Sequence, residues 1–175
     1  MLKYAETMVT FREIPSEVTL CINITGCPIH CEGCHSKHLW EDTGTPLNKK
    51  ELDMLIKTNE GITAICLMGG DNNPVELWEV AAYIKRTTNL KVGWYSGKSF
   101  LKDTPLEYFD YIKTGPYKKD LGGLDSVTTN QRFYEVHEKC DTHNKLLYRY
   151  LEDVTWKFQK KKDETGNNTN EKRGI

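Results

Sequence analysis

No apolar run in the chain approaches the roughly 20 residues that a bilayer-spanning helix requires, so no membrane partner is expected. A surplus of either charge is also missing, since 24 basic against 25 acidic side chains leave a net charge of −1 over 175 residues. Without a basic surplus there is no electrostatic footprint for nucleic acid, and polyanion binding is disfavoured. The opening Met1-Leu2-Lys3-Tyr4 has no apolar secretory core, internal repeats are absent, and no shift of composition divides the chain. One domain over residues 1–162 is expected, followed by a polar tail at 163–175 that lacks core residues. The chain is also too short for a closed eight-fold (β/α) barrel, which typically needs ~250 residues.

What the chain does have is six cysteines, three of them crowded into one loop. That crowding argues against a secreted disulfide framework and for reduced thiols in a cytoplasmic setting. The loop reads Gly26-Cys27-Pro28-Ile29-His30-Cys31-Glu32-Gly33-Cys34-His35, with its thiols spaced Cys-x3-Cys-x2-Cys. Three thiolates closing on one centre can hold three corners of an iron–sulfur cube and leave the fourth iron without a protein ligand. The rival reading is structural zinc, completed by Cys21 or by one of His30, His35 and His38. A lone Cys31-x-x-Cys34 redox pair lacks the thioredoxin context and leaves Cys27 unexplained. Cys21 and Cys66 lie within apolar strand signals and read as small core hydrophobes, while Cys140 falls in a polar turn.

Around this loop, strand and helix signals alternate. Residues 7–14 read as an edge strand stopped by Pro15, and Glu17–Thr25, rich in β-branched residues, as the first core strand. Asn48 with Glu51 resembles a capping box ahead of a helix that ends near Asn59-Glu60-Gly61. Ile62–Met68 is a nearly continuous apolar run, as in a strand covered on both faces, and it stops at Gly69-Gly70-Asp71. Asn73-Pro74 starts a second helix with Leu77, Val80, Ala81 and Ile84 on its buried stripe. Lys91–Tyr95 and Tyr108–Lys113 are further strands, broken by Ser96-Gly97 and by Thr114-Gly115-Pro116, with a third crossover expected between 98 and 107. Arg132–His137 and Leu146–Tyr150 add terminal strands, and Val154–Lys162 a short helix. This alternation favours a parallel sheet whose strand C-termini share one edge, where α/β folds bind ligands.

The cysteine spacing resembles the signature of the radical S-adenosylmethionine (SAM) superfamily. Cys31-Glu32-Gly33-Cys34-His35 is similar to its glycyl-radical activase branch. Gly115-Pro116-Tyr117 with Thr129-Asn130-Gln131-Arg132 resembles the activating proteins of anaerobic ribonucleoside-triphosphate reductase, so the likeness runs from about residue 15 to 137. The resemblance implies an incomplete (β/α) barrel of mainly parallel sheet. It implies a 4Fe–4S cluster on Cys27, Cys31 and Cys34, with SAM chelated by the open iron. SAM contacts are then expected from Gly33, Cys34, His35, Gly69, Gly70, Asp71, Ser96, Gly97 and Gly115. Here Asp71 stands where the superfamily more often has Glu in a Gly-Gly-Glu motif that meets the methionine ammonium. The implied partners are the reductase large subunit and an external reductant such as flavodoxin. Activation of another glycyl-radical enzyme, small-molecule radical SAM chemistry and a non-catalytic zinc module are the alternatives.

Overall fold

The structure, a computed structural model, describes residues 1–99 and 103–159. Its elements in chain order are β1 (Lys3–Thr10), β2 (Thr19–Ile24), β3 (Thr45–Pro46), α1 (Lys49–Thr58), β4 (Ala64–Met68), α2 (Pro74–Thr87), β5 (Lys91–Tyr95), β6 (Tyr111–Thr114), β7 (Arg132–Cys140) and β8 (Leu146–Asp153). The eight strands form one sheet in the order β3-β1-β2-β4-β5-β6-β7-β8. Its centre, β2-β4-β5-β6, is parallel, and the flanking pairs on both sides are antiparallel. No helix among the described residues is long and apolar enough to cross a membrane.

Both helices start where their caps dictate. Asn48 Oδ1 accepts from the Glu51 N–H at 3.0 Å, and Asn73 Oδ1 from the Glu76 N–H at 3.3 Å, with Pro74 at the first helical position. Glu51 does not reach back to its own cap, because its carboxylate accepts instead from the Tyr4 hydroxyl of β1 at 2.5 Å. Since side chains alternate along a strand, each central strand splits its residues between two cores. One face packs Leu20, Ile22, Ile65, Leu67, Val92 and Trp94 against Leu52 and Leu55 of α1 and Leu77 and Ile84 of α2. The other buries Cys21, Cys66 and Tyr111 under Ile14, Phe133 and Val154.

At the N-terminal ends of the parallel strands Glu17 ties three segments together. It accepts from Lys91 Nζ at 2.5 Å, the Thr63 hydroxyl at 2.6 Å and the Tyr111 hydroxyl at 3.0 Å. Burial opposes its ionisation, but these three donors outweigh burial and hold its pKa below the ordinary carboxylate value.

The expected mainly parallel, incomplete (β/α) barrel is overturned. The described residues form an eight-stranded mixed sheet with two α-helices. Among its described residues the third crossover has one 3-10 turn, Leu106–Tyr108, and no α-helix. The chain still enters β6 parallel to β5, but after β6 it returns antiparallel in β7, and four of the seven pairings are antiparallel. The first strand also lies earlier than residues 7–14, at Lys3–Thr10, because Ile14 leaves the strand to plug the second core. A 3-10 turn at Thr155–Lys157 stands in the expected C-terminal helix, whose end, like the tail at 163–175, lies outside the described residues.

Candidate functional site

The parallel order of β2, β4, β5 and β6 puts their four C-terminal ends on one edge, and the segments leaving those ends converge there. From β2 comes the cysteine loop. Its Gly26 and Cys27 N–H groups donate to the Glu41 and Leu39 carbonyls at 3.1 and 2.9 Å, closing it at the base. Cys27, Cys31 and Cys34 are free and half-buried. The Ser36 N–H donates to Cys34 Sγ at 3.3 Å.

From β4 comes Gly69-Gly70-Asp71. Both glycines have positive φ (109° and 81°), which turns the chain sharply at the strand end. Asp71 is 5% exposed. Its carboxylate accepts from Ser96 Oγ at 2.5 Å and from the Gly97 N–H at 2.7 Å, so it straps the β4 end to the β5 end. Gly97 in turn lies against the cysteine loop, where a Cβ would come within 2.7 Å of Ile29 Cγ1.

From β6 comes Gly115-Pro116-Tyr117. His35 meets the Tyr117 ring edge-on at 5.6 Å between centroids, and Gly33 lies against Lys119. The segment Asn130-Gln131-Arg132 clamps this turn. Asn130 Nδ2 donates to the Pro116 carbonyl at 2.9 Å, Gln131 Nε2 to the Gly115 carbonyl at 3.3 Å, and Arg132 to the Thr129 and Gln131 carbonyls at 2.8 Å. Sequence reading assigned no chemistry to those three residues, and their hydrogen bonds run to backbone.

Every residue expected at the site thus lies on this edge: Cys27, Cys31, Cys34, Gly33 and His35 on one loop, Gly69 to Asp71 beside it, Ser96 and Gly97 joined to Asp71, and Gly115 across from them. Cys21 and Cys66 are not among them. They are cross-strand partners in the second core, both fully buried, and burial pushes the Cys66 thiol well above its usual pKa. Cys140 is exposed at the far end of β7.

One side chain escaped the sequence reading. Lys113, near the end of β6, is 8% exposed and faces the second core side of the sheet at this same edge. Its Nζ donates to the Gly115 carbonyl at 2.7 Å. Burial pushes its pKa down to about 8, against the opposing pull of Cys31, Asp71 and Cys27. A lone lysine between Ile112 and Thr114 carries no motif that would mark it in the sequence.

Three free thiols on one loop are a donor set that fits an iron–sulfur cluster. A tetrahedral zinc with Zn–S near 2.3 Å draws its thiolates to within about 3.8 Å of one another. Among the described residues, the one set of three metal-ligating side chains whose ligand atoms all close to within 4.8 Å is Glu135, His137 and Glu152 on the terminal hairpin. There Lys157 already pairs with Glu135 at 2.5 Å. Cys27, Cys31 and Cys34 do not form such a set. Each histidine near the loop has another contact among the described residues: His30 stacks on Trp40 at 4.5 Å, His35 meets Tyr117 edge-on, and His38 pairs with Glu6 at 3.3 Å.

No curated protein and no solved structure matches the chain. A family model described as 4Fe-4S single cluster domain matches residues 17–134, from just before β2 to the first residues of β7. That span covers about two thirds of the chain and contains the cysteine loop and all four converging strand ends. The chain therefore belongs to the 4Fe-4S single cluster domain family.

Proposed function

We propose that this protein is a radical SAM activase that generates a glycyl radical on anaerobic ribonucleoside-triphosphate reductase. The observation that carries the reading is the count of ligands: three thiols on one loop, the other cysteines buried or remote, and each nearby histidine engaged elsewhere. Such a set leaves one iron of a cube open to the amino and carboxylate groups of SAM. When bound, the cluster and SAM supply one-electron cleavage of SAM to methionine and a 5′-deoxyadenosyl radical, which takes a hydrogen atom from a glycine of the partner. The electron comes from an external reductant such as flavodoxin.

The chain's own residues do the placing. Cys27, Cys31 and Cys34 hold the cluster at the strand edge. Gly69 and Gly70 bring bare backbone to the position facing it. Asp71 spends two of its acceptor sites on Ser96 and Gly97 and keeps its remaining lone pairs for an ammonium group. Gly115, held by Asn130 and Gln131, closes the opposite side. The assignment of the reductase as partner rests on the resemblance of the Gly115 to Arg132 stretch.

The test is electron paramagnetic resonance on the reductase mixed anaerobically with the reconstituted protein. A glycyl doublet should appear only with SAM and a strong reductant, and should vanish for Cys31→Ser. Reductive SAM cleavage without the doublet would leave radical SAM chemistry standing and remove the reductase, in favour of another glycyl-radical enzyme or a small molecule. A protein that takes up zinc but no iron or sulfide would remove both.

A further inference from the structure

Away from the cysteine loop, the terminal hairpin gathers three potential ligands on one face. The β7–β8 register sets Glu135 directly opposite Glu152, and His137 directly opposite Tyr150. Because side chains alternate along a strand, Glu135 and His137 share the face of Phe133, which is the face turned away from the helices. Two carboxylates directly opposite each other across a ladder repel, and the pair costs stability unless a cation lies between them. Lys157 meets part of that need, its Nζ pairing with Glu135 Oε1 at 2.5 Å. Glu135 Oε2 is left beside His137, and Glu152 has no lysine or arginine partner among the described residues. The arginines of the hairpin pair with other acids, Arg132 with Asp153 at 3.5 Å and Arg149 with Glu138 at 2.5 Å.

His137 does not fill the gap as a hydrogen-bond donor. Its Nε2 has Glu152 Oε2 at 2.9 Å and Glu135 Oε2 at 3.6 Å. This nitrogen is shielded from solvent, yet it makes no hydrogen bond to either: the Glu135 oxygen is too distant, and the Glu152 oxygen does not meet the ring in hydrogen-bond geometry. An imidazole nitrogen so placed, with two carboxylate oxygens beside it, suits a lone pair directed at an ion that the oxygens share. The spacing agrees. Donors at about 2.0–2.1 Å from a tetrahedral zinc stand about 3.3 Å apart, and the two separations from Nε2 straddle that value. All three ligand atoms lie within 4.8 Å of one another. The His137 ring stacks on Tyr150 at 5.5 Å between centroids, and Lys157 orients Glu135 through the oxygen that faces away from the site, as outer partners do for metal ligands. Glu152 is 57% exposed, which gives an ion a path from solvent and leaves water to complete its shell.

We propose that Glu135, His137 and Glu152 form a site for a divalent cation of the zinc class, which clips β7 to β8. One imidazole with two carboxylates favours a first-row transition ion over calcium or magnesium, which take oxygen donors. Glu135 pairs across the sheet with Tyr111, the first residue of β6, so the site lies toward the opposite end of the strands from the cysteine loop. It is independent of the cluster reading. An ion that binds the folded hairpin and not the unfolded chain stabilises the protein by mass action.

The experiment is equilibrium dialysis of the full chain, its cluster reconstituted, against micromolar zinc under anaerobic conditions, with bound zinc counted by elemental analysis and its neighbours read by X-ray absorption. The parent should hold about one more zinc per chain than His137→Ala or Glu152→Gln. That additional zinc should show nitrogen and oxygen neighbours at about 2.0–2.1 Å and no sulfur at about 2.3 Å. Zinc should raise the thermal midpoint of the parent and leave those of the two variants unmoved. Equal zinc in the parent and Glu152→Gln, sulfur around the additional zinc, or an equal rise of midpoint in parent and variant overturns the proposal. If His137→Ala fails to fold, Glu152→Gln decides, because its side chain is exposed and the change removes one charge at constant shape. The readout is a difference between parent and variant, so it holds whether or not the loop thiols carry a cluster, and a chain that assembles none counts against the cluster reading alone.

Discussion

Replacing Asp71 with alanine tests the strap between the β4 and β5 ends. The carboxylate is 5% exposed and accepts two charge-assisted hydrogen bonds, at 2.5 Å from Ser96 Oγ and 2.7 Å from the Gly97 N–H. Bonds of this kind are worth about 1.5–3 kcal/mol each, and removing the acceptor strands its donors. Ser96 is itself 1% exposed and cannot turn to bulk water. Its hydroxyl also accepts from the Lys98 N–H at 3.0 Å, so the loss spreads along the β5 exit. Asp71→Ala should therefore destabilise the cluster-free protein by about 3–5 kcal/mol, and Asp71→Asn, which retains one acceptor, by about half as much. Anaerobic urea unfolding with a common m-value measures both. Because Gly97 touches Ile29, cluster occupancy should fall in the same order. An Asp71→Ala protein within about 0.5 kcal/mol of the parent would show that the strap carries no load, and would leave SAM binding as the sole account of this carboxylate.

Serine substitutions of Cys27, Cys31 and Cys34 should each abolish iron uptake, whereas Cys21→Ala, Cys66→Ala and Cys140→Ser should keep it, read by iron and sulfide analysis after reconstitution. Gly97→Ala should reduce cluster retention several-fold, since its Cβ would meet Ile29 Cγ1 at 2.7 Å and push the cysteine loop outward. Acid should weaken the Glu17 network. Its folded pKa is depressed, so its stabilisation is complete above the unfolded carboxylate pKa and is lost as pH falls through the lower folded one, a slope that Glu17→Gln should flatten in unfolding measured against pH. For Lys113, folded pKa about 8 against an unfolded value near 10.5, the unfolded chain binds more protons between those values. Cluster-free stability should therefore rise with pH across that window relative to Lys113→Met, measured by thermal unfolding.

Both helices and the four parallel strands were legible because each is written locally. Asn48 and Asn73 are caps that act within three residues, and β4 is an apolar run bounded by Gly69-Gly70. The antiparallel return was harder to read. The alternation of polar and apolar residues in β7 and β8 marks them as strands but does not say which neighbour they join or in which direction, and a strand–helix rhythm earlier in the chain favours the wrong answer. The cysteine loop was legible because three thiols in eight residues admit few chemistries. Asp71 was legible as part of the turn that ends β4 but not as a strap, since its partners Ser96 and Gly97 lie 25 and 26 residues away. Lys113 was illegible altogether, because a buried charge is known only once burial is known.

The convergence of four strand ends has a consequence for how the protein is made. The three loop cysteines are synthesised early, but the residues that lie against their loop, Gly97, Tyr117 and Lys119, come much later. Roughly 90 residues separate Gly33 from Lys119, several seconds of translation at ~5–20 residues per second. During that interval the thiols have no walls and are open to oxidation or to capture by a softer metal. The nascent chain has to complete the pairing of β5 with β6 before an iron–sulfur donor meets a finished cradle, so long-range sheet closure, intrinsically slow, comes before cofactor loading. Variants that delay that closure should emerge from cells with intact folds and poorly metallated loops.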